Sequence, residues 1–353
     1  MSVAYPSPSV TTASEPPSSA RRYVPELDGL RAIAVLLVIL FHSNPDGPFE
    51  GGWIGCDIFF VLSAFLITSI LVEEREKTGR IRYGQFYWRR CIRLFPALIV
   101  FLAAYVAVAP IFLPGYPHLR DALIAGFYLS NFAIVIAHIP VMITHTWSLA
   151  AEEQFYLIWP ATLILIARVK RPVLILGAVW LGLTVLRFTT DDWVARYYGP
   201  ATHGTGLVLG AILYFLVREG RLSIRPIHAA AAFGLLAALS MYAQIGAPEL
   251  AITVTELIAA LIIGAIVSNP GSMRFLATRY LVGLGKISYG LYLWHYPISR
   301  IVRGVGSYWA EFTLTFSLSL ALACLSYFTV ESWARRLRGS IKPTGLSTAQ
   351  AVA

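Results

Sequence analysis

Ten apolar runs follow one another along the chain, at 31–42, 53–72, 94–113, 147–167, 172–186, 207–217, 227–243, 250–267, 280–301 and 312–330. Several approach the roughly 20 residues that a helix needs to cross a hydrocarbon core ~30 Å thick. The pattern predicts an all-α, polytopic membrane helical bundle of about ten transmembrane helices. An eleventh and weaker run extends from Ala122 to Ala137.

The polar turns between the runs orient the bundle, because Lys and Arg accumulate in cytoplasmic loops. Arg21, Arg22 and Arg31 precede or open the first run, which predicts a cytoplasmic N-terminus. The following turn, "SNPDGPFEGG", has no Lys or Arg and is placed outside; "EEREKTGRIRYGQFYWRRCIR" carries seven and is placed inside. Strict alternation then puts "RVKR" (168–171) on the wrong side. A re-entrant segment at Ala122 to Ala137, entering and leaving on the outer face, repairs every later loop. Both termini are then cytoplasmic, and five of the 28 Lys and Arg residues remain outside: Arg120, Arg187, Arg196, Arg300 and Arg303.

Composition agrees with this frame. Of 353 residues, 57% are hydrophobic and only 13% charged, against about 25% charged in ordinary soluble domains. The net charge of +9 belongs to cytoplasmic loops, so no nucleic-acid partner is expected. Cys56, Cys91 and Cys324 are scattered among apolar stretches with no metal-ligand spacing, and are expected to be small buried thiols. The Ser-, Pro- and Thr-rich residues 1–22 lack the apolar centre of a signal peptide and read as a disordered tail. Residues 23–338 form the membrane domain and 339–353 a flexible tail. The expected location is the inner, cytoplasmic membrane, as a multi-pass protein.

Against this background the ionisable residues inside the runs matter, since charge at membrane depth is costly and marks function by default. Arg31 and His42 are eleven residues apart, about 1100° of helical rotation and roughly 16 Å of rise. They share one helix face, Arg31 nearer the cytoplasm and His42 nearer the outside. Arg31 reads equally as an anchor at the lipid headgroups. In "THTWSLAAEEQFYLIWP", Ser148 is a candidate N-cap that sets Glu152 and Glu153 in the first turns of a helix, beside His145. "GGWIGCDIFF" carries Asp57 into an apolar run. These three segments are expected to meet in the outer half of the membrane. On the inner side, Arg90 and Arg93 lie three apart on one helix face, where paired guanidiniums suit phosphate groups. A basic juxtamembrane segment also serves topology and anionic-lipid attraction. His295, midway along a late run, reads as a satisfied core histidine.

Five segments then occur in order: "ELDGLRAIAVLLVILFH", "GGWIGCDIFFVLSAFLIT", "FYWRRCIRLFPA", "HTWSLAAEEQFYLIWP" and "ISYGLYLWHYPI". Together they resemble the acyltransferase type 3 family of integral membrane O-acyltransferases, which includes O-antigen and other glycan O-acetyltransferases. The resemblance covers the chain from about Tyr23 to Arg338. It implies that Arg31 and His42 form the family's Arg-x10-His pair, and that Arg90 and Arg93 form its R-x-x-R motif, associated with the acyl-CoA donor. It also implies site roles for Glu152 and Glu153, with Trp147 and Ser148 matching the same block. Family members often carry a further extracytoplasmic domain, so any two-step transfer here is expected to need a separate protein.

The expected activity is transfer of an acyl group, acetyl by default, from cytoplasmic acyl-CoA to a hydroxyl of a glycan or lipid-linked sugar at the outer side. His42 would be the base and Glu152 or Glu153 its orienting carboxylate. Arg31, Arg90 and Arg93 would bind the donor, with no bound cofactor and no metal. Two other readings stay open: acylation of a small secondary metabolite such as a macrolide sugar, and secondary transport of a glycan intermediate. Against transport, no internal repeat is visible.

Overall fold

The structure is a computed structural model that describes residues 23–44, 46–139 and 141–340; among these residues the chain is helical, with no strand. The expected tails, except residues 339 and 340, lie outside the described residues. The helices are α1 (Pro25–Ser43), α2 (Gly55–Thr78), α3 (Tyr83–Phe112), α4 (His118–Gly126), α5 (Ser130–Val135), α6 (Thr146–Ile166), α7 (Pro172–Thr189) and α8 (Trp193–Tyr198). They continue as α9 (Pro200–His203), α10 (Thr205–Arg218), α11 (Pro226–Tyr242), α12 (Pro248–Ser268), α13 (Arg279–Lys286), α14 (Ser288–Val302), α15 (Tyr308–Ser326) and α16 (Ser332–Ser340). One 3-10 turn precedes α2, and a π-helical turn (Tyr327–Glu331) joins α15 to α16.

Local sequence explains the boundaries. Pro25 occupies the first turn of α1, where its missing N–H is no loss, with Glu26 and Asp28 complementing the positive end of the helix dipole. Gly79 stops α2 in the left-handed region (φ +73°), returning its N–H to the Arg75 carbonyl.

Among the described residues seven segments are long and apolar enough to cross a membrane: Gly52–Thr78, Tyr83–Phe112, Thr146–Ile166, Pro172–Thr189, Pro200–Arg218, Pro248–Ser268 and Tyr308–Leu337. The chain is a multi-pass membrane protein. The other three expected spans are helical but fall short taken singly. Within its 19 residues α1 holds Glu26, Asp28 and Arg31; α11 has 17 residues; the 280–301 run breaks at Ile287 into α13 and α14.

The stretch from Ala122 to Ala137 lies largely in α4 and α5, of 9 and 6 residues. At 1.5 Å per residue they are about 14 and 9 Å long, so neither can span. Between them Tyr128 takes a positive φ of 55°. Asp121 on α4 accepts a hydrogen bond from the Met142 N–H at 2.6 Å, which sets the entry and exit of this hairpin side by side.

At the centre stands α1, packed against α2, α13, α14 and α15. Its Leu30, Ala34, Val35, Val38 and Ile39 are fully buried. In α2, 78% of the most apolar window is buried inside the protein; in α7 the share is 17%, so α7 turns most of its apolar surface to lipid. Small residues let the central helices approach closely. A Cβ at Gly55 would lie 2.3 Å from the Ala34 carbonyl, and one at Gly210 2.2 Å from the Val61 carbonyl. Gly210→Val is therefore expected to wedge α10 from α2 and to destabilise the fold by about 1–3 kcal/mol, the usual cost of overpacking. A thermal melt of the purified variant reads this; an unchanged midpoint would mean that the two helices separate freely.

Cross-links close both ends of the bundle. At one end Glu26 accepts from the Gly271 N–H, Arg218 pairs with Glu76, and Asn269 donates to the Ile224 carbonyl. At the other, Arg303 donates to the His42 carbonyl, the Gly51 N–H to Ser240 and the Trp53 indole to Ala243. His42 belongs to the second end, and Arg31 lies toward the first.

Candidate active site

Three histidines from three separate segments gather at the His42 end. His42, in the last turn of α1, is half-buried; His295 on α14 and His145 at the start of α6 are buried. His42 Nδ1 lies 2.9 Å from the Val38 carbonyl and 3.3 Å from His295 Nε2. A carbonyl only accepts, so Nδ1 of His42 carries the proton and Nε2 keeps its lone pair. The same reasoning applies to His295, whose Nδ1 sits 2.7 Å from the Tyr292 carbonyl. Its Nε2 is therefore a second acceptor beside the His42 Nδ1–H. Tyr296 packs edge-on to His42 and stacks on His145, with ring centroids 4.9 Å apart in both pairs. Both ring nitrogens of His145 are buried without a hydrogen-bond partner.

One to two helical turns deeper lie two adjoining cavities of about 60 and 50 Å³, each with room for roughly four waters. They share Arg31, Ser63, Leu149, Glu152 and Tyr289 as walls. The first opens among Arg90, Arg93, Glu153 and Tyr156; the second runs on toward Cys56, Ser148 and Tyr292. The Arg31 Nε is buried without a hydrogen-bond partner. Such an orphaned donor at a cavity wall fits an anionic guest.

Several expected roles change on this geometry. Glu152 and Glu153 do not orient His42. Adjacent helical residues point about 100° apart: both line the first cavity, but Glu152 accepts from the Tyr156 hydroxyl at 2.5 Å and reaches the second cavity as well, while Glu153 turns to Arg90 of α3. There Arg90 forks onto Glu153 at 2.6–3.0 Å and lies over the Tyr156 ring at 3.2 Å. Arg90 lines the first cavity already committed to a carboxylate, and Arg31 and Arg93 are the other two cations in its wall. Ser148 is no N-cap, because α6 starts at Thr146 and Ser148 lies inside it, 2.5 Å from the Tyr292 hydroxyl. His145 stands among the other histidines, not beside the acids. Of the three cysteines only Cys56 is buried; Cys91 is exposed and Cys324 half-buried. His295, read as a core histidine, is the direct partner of His42. Among the described residues no group of three or more His, Cys, Asp or Glu is placed to hold a metal ion.

Asp57 belongs to a separate buried polar cluster. His203 presents Nε2 to Asp57 at 3.0 Å and Nδ1 to the Tyr197 carbonyl at 2.6 Å, and both side chains are fully buried. A ring between two acceptors requires one extra proton, held as imidazolium with carboxylate or as imidazole with carboxylic acid. Beside it Arg187 donates to Thr205, Thr253 and the Thr202 carbonyl and lies 3.5 Å from Glu256, again fully buried. Trp147 covers His203, with ring centroids 4.7 Å apart.

A central helix thus carries a half-buried imidazole above a cation-walled cavity. A family model described as an acyltransferase domain matches residues 24–330. The chain belongs to the acyltransferase type 3 family. The matched range takes in the three histidines, both cavities and the Asp57 cluster. Among curated proteins, the peptidoglycan O-acetyltransferase OatA of Listeria monocytogenes is 36% identical over 319 residues, covering 81% of this chain and 51% of that protein. The O-acetyltransferase OatA of Staphylococcus aureus is 32% identical over 351 residues, covering 89% and 58%. A putative O-acetyltransferase of the same species is 33% identical, covering 88% and 57%. The chain therefore spans little more than half the length of these relatives. No solved structure matches it.

Proposed function

We propose that this family member is an O-acyltransferase that carries an acyl group, acetyl by default, from acyl-CoA to a hydroxyl of a glycan or lipid-linked sugar. The donor enters at the Arg31 end, taken as cytoplasmic, and the acceptor meets His42 at the outer end. Ten crossings, a re-entrant α4–α5 hairpin and cytoplasmic termini complete the reading. The shortness of α4 and α5, and the gathering of basic turns at the Arg31 end, support it. The O-acetyltransferase names of the relatives support the acetyl group, and the one named for peptidoglycan supports a cell-wall glycan acceptor.

The observation that carries the reading is the pair of acceptors, the Val38 carbonyl and His295 Nε2, that face His42 Nδ1. With Nδ1–H engaged, the free Nε2 removes the acceptor's hydroxyl proton as its oxygen attacks the thioester carbonyl. The carbon–sulfur bond breaks, the new ester leaves with the acceptor, and the imidazolium returns its proton to the departing thiolate. Val38 and His295 share the Nδ1–H and hold the ring, the part a carboxylate plays in a triad. Arg31, roughly 16 Å along α1 from the base, and Arg93 of α3 receive the donor's phosphates.

The test uses purified protein in proteoliposomes with labelled acetyl-CoA and a glycan acceptor. Label is expected in an acceptor ester; an intact thioester would overturn the reading and return transport to consideration. Arg93→Ala is expected to raise the donor KM by about 10- to 100-fold with kcat largely kept, since a charge-assisted contact contributes about 1.5–3 kcal/mol. An unmoved donor KM would remove Arg93 from the donor site.

A further inference from the structure

The donor cavity and the histidines are close but not continuous. No histidine lines either cavity, and the second cavity ends against Cys56, Ser148 and Tyr292. Tyr292 stands on α14 one turn before His295 and Tyr296. Its ring walls the cavity on one side and packs on the other against His145 and His295, with centroids 5.5 and 5.3 Å away. The hydroxyl is tied down. It donates to the His145 carbonyl at 2.8 Å and lies 2.5 Å from the Ser148 hydroxyl, within hydrogen-bond reach. The ring is buried, its two short bonds run to His145 and Ser148 at the head of α6, and Cys56 Sγ of α2 lies 3.8 Å from the same hydroxyl, so Tyr292 fastens α14 to the start of α6 across the head of the cavity.

Building on the function proposed above, we infer that Tyr292 is a latched partition between donor and base, and that it sets the coupling of thioester cleavage to acceptor transfer. The chemistry makes such a wall necessary. The His42 Nε2 that deprotonates an alcohol deprotonates water equally well. Water attacking the same carbonyl gives a free carboxylic acid and a thiol: the carbon exchanges its sulfur bond for one to oxygen, and the proton ends on sulfur. A passage left open between a half-buried imidazole and the thioester would spend donor without acceptor. The ring closes that passage until its two hydrogen bonds to α6 are released, and Tyr292 acts through the access it controls rather than as a catalytic residue.

The experiment compares thiol released with ester formed, with and without acceptor, in the full-length protein reconstituted with acetyl-CoA. Wild type is expected to release thiol in step with ester. Tyr292→Ala is expected to raise acceptor-independent release by about tenfold or more, a fraction of what a positioned base supplies. Adding His42→Ala to Tyr292→Ala should abolish the rise, which a loosened structure alone would not do. A folded Tyr292→Ala protein whose thiol and ester stay in step overturns the partition, and so does a rise that survives the loss of His42. Should the alanine variant fail to fold by thermal melt, Tyr292→Phe, which keeps the ring and loses the latch, gives the same comparison with a smaller expected rise. An unchanged ratio there overturns the inference. Wild type yielding neither ester nor thiol would instead overturn the functional reading itself.

Discussion

His42→Ala is expected to lower acyl transfer by about 10²- to 10⁴-fold, the contribution of a positioned general base, while leaving the donor KM near its wild-type value. The affinity should hold because Arg31 and Arg93 wall a cavity that no histidine lines. His295→Ala should lose less, about tenfold, because the Val38 carbonyl still holds the His42 Nδ1–H after His295 is gone. Initial rates of ester formation in proteoliposomes measure both. Wild-type turnover in His42→Ala would end the base assignment, and equal losses in the two variants would make the histidines a unit rather than a base and its support.

The second large effect concerns stability. Arg187 and Glu256 are both fully buried, and removing one member of such a pair leaves the other charge without compensation. Glu256→Ala or Arg187→Met is expected to destabilise the protein by about 3–5 kcal/mol, whereas replacing both with apolar residues of similar volume should come close to neutral. Thermal or denaturant melts of the two single variants and the double variant test this. Additive losses in the double variant would show that the two side chains contribute independently.

The helical plan was legible in the chain because hydrocarbon imposes it: the ten apolar runs fall in helices, and two stretches, the weak run at Ala122 to Ala137 and the run at 280–301, are each divided into two shorter helices. Arg31 and His42 were legible through their spacing on one helix, a property local to twelve residues. What sequence hid was partnership between helices. His295 lies 253 residues from His42, and only the packing of α14 on α1 brings their rings together. The spacing of Tyr292, His295 and Tyr296 at i, i+3 and i+4 on one face was the available signal. Adjacency misled at Glu152 and Glu153, whose shared position in the chain suggested a shared task although a helix turns them toward different neighbours. Glu256 carried the sign that singled out Asp57, charge within an apolar run, whereas Arg187 stands one residue past its run, and counting it with the outer loops concealed that it lies inside the protein.

The Arg187–Glu256 pair also bears on how the chain is made. Glu256 follows Arg187 by 69 residues, several seconds of translation at about 5–20 residues per second. Throughout that interval the guanidinium near the C-terminal end of α7 lacks its Glu256 counter-ion, at a penalty of about 2.5–3.5 kcal/mol were it centred in the bilayer. The leucines and valines of α7 must hold the helix there until α12 emerges. Nascent chains halted before α12 should therefore slip back out of the bilayer more often than those halted after it.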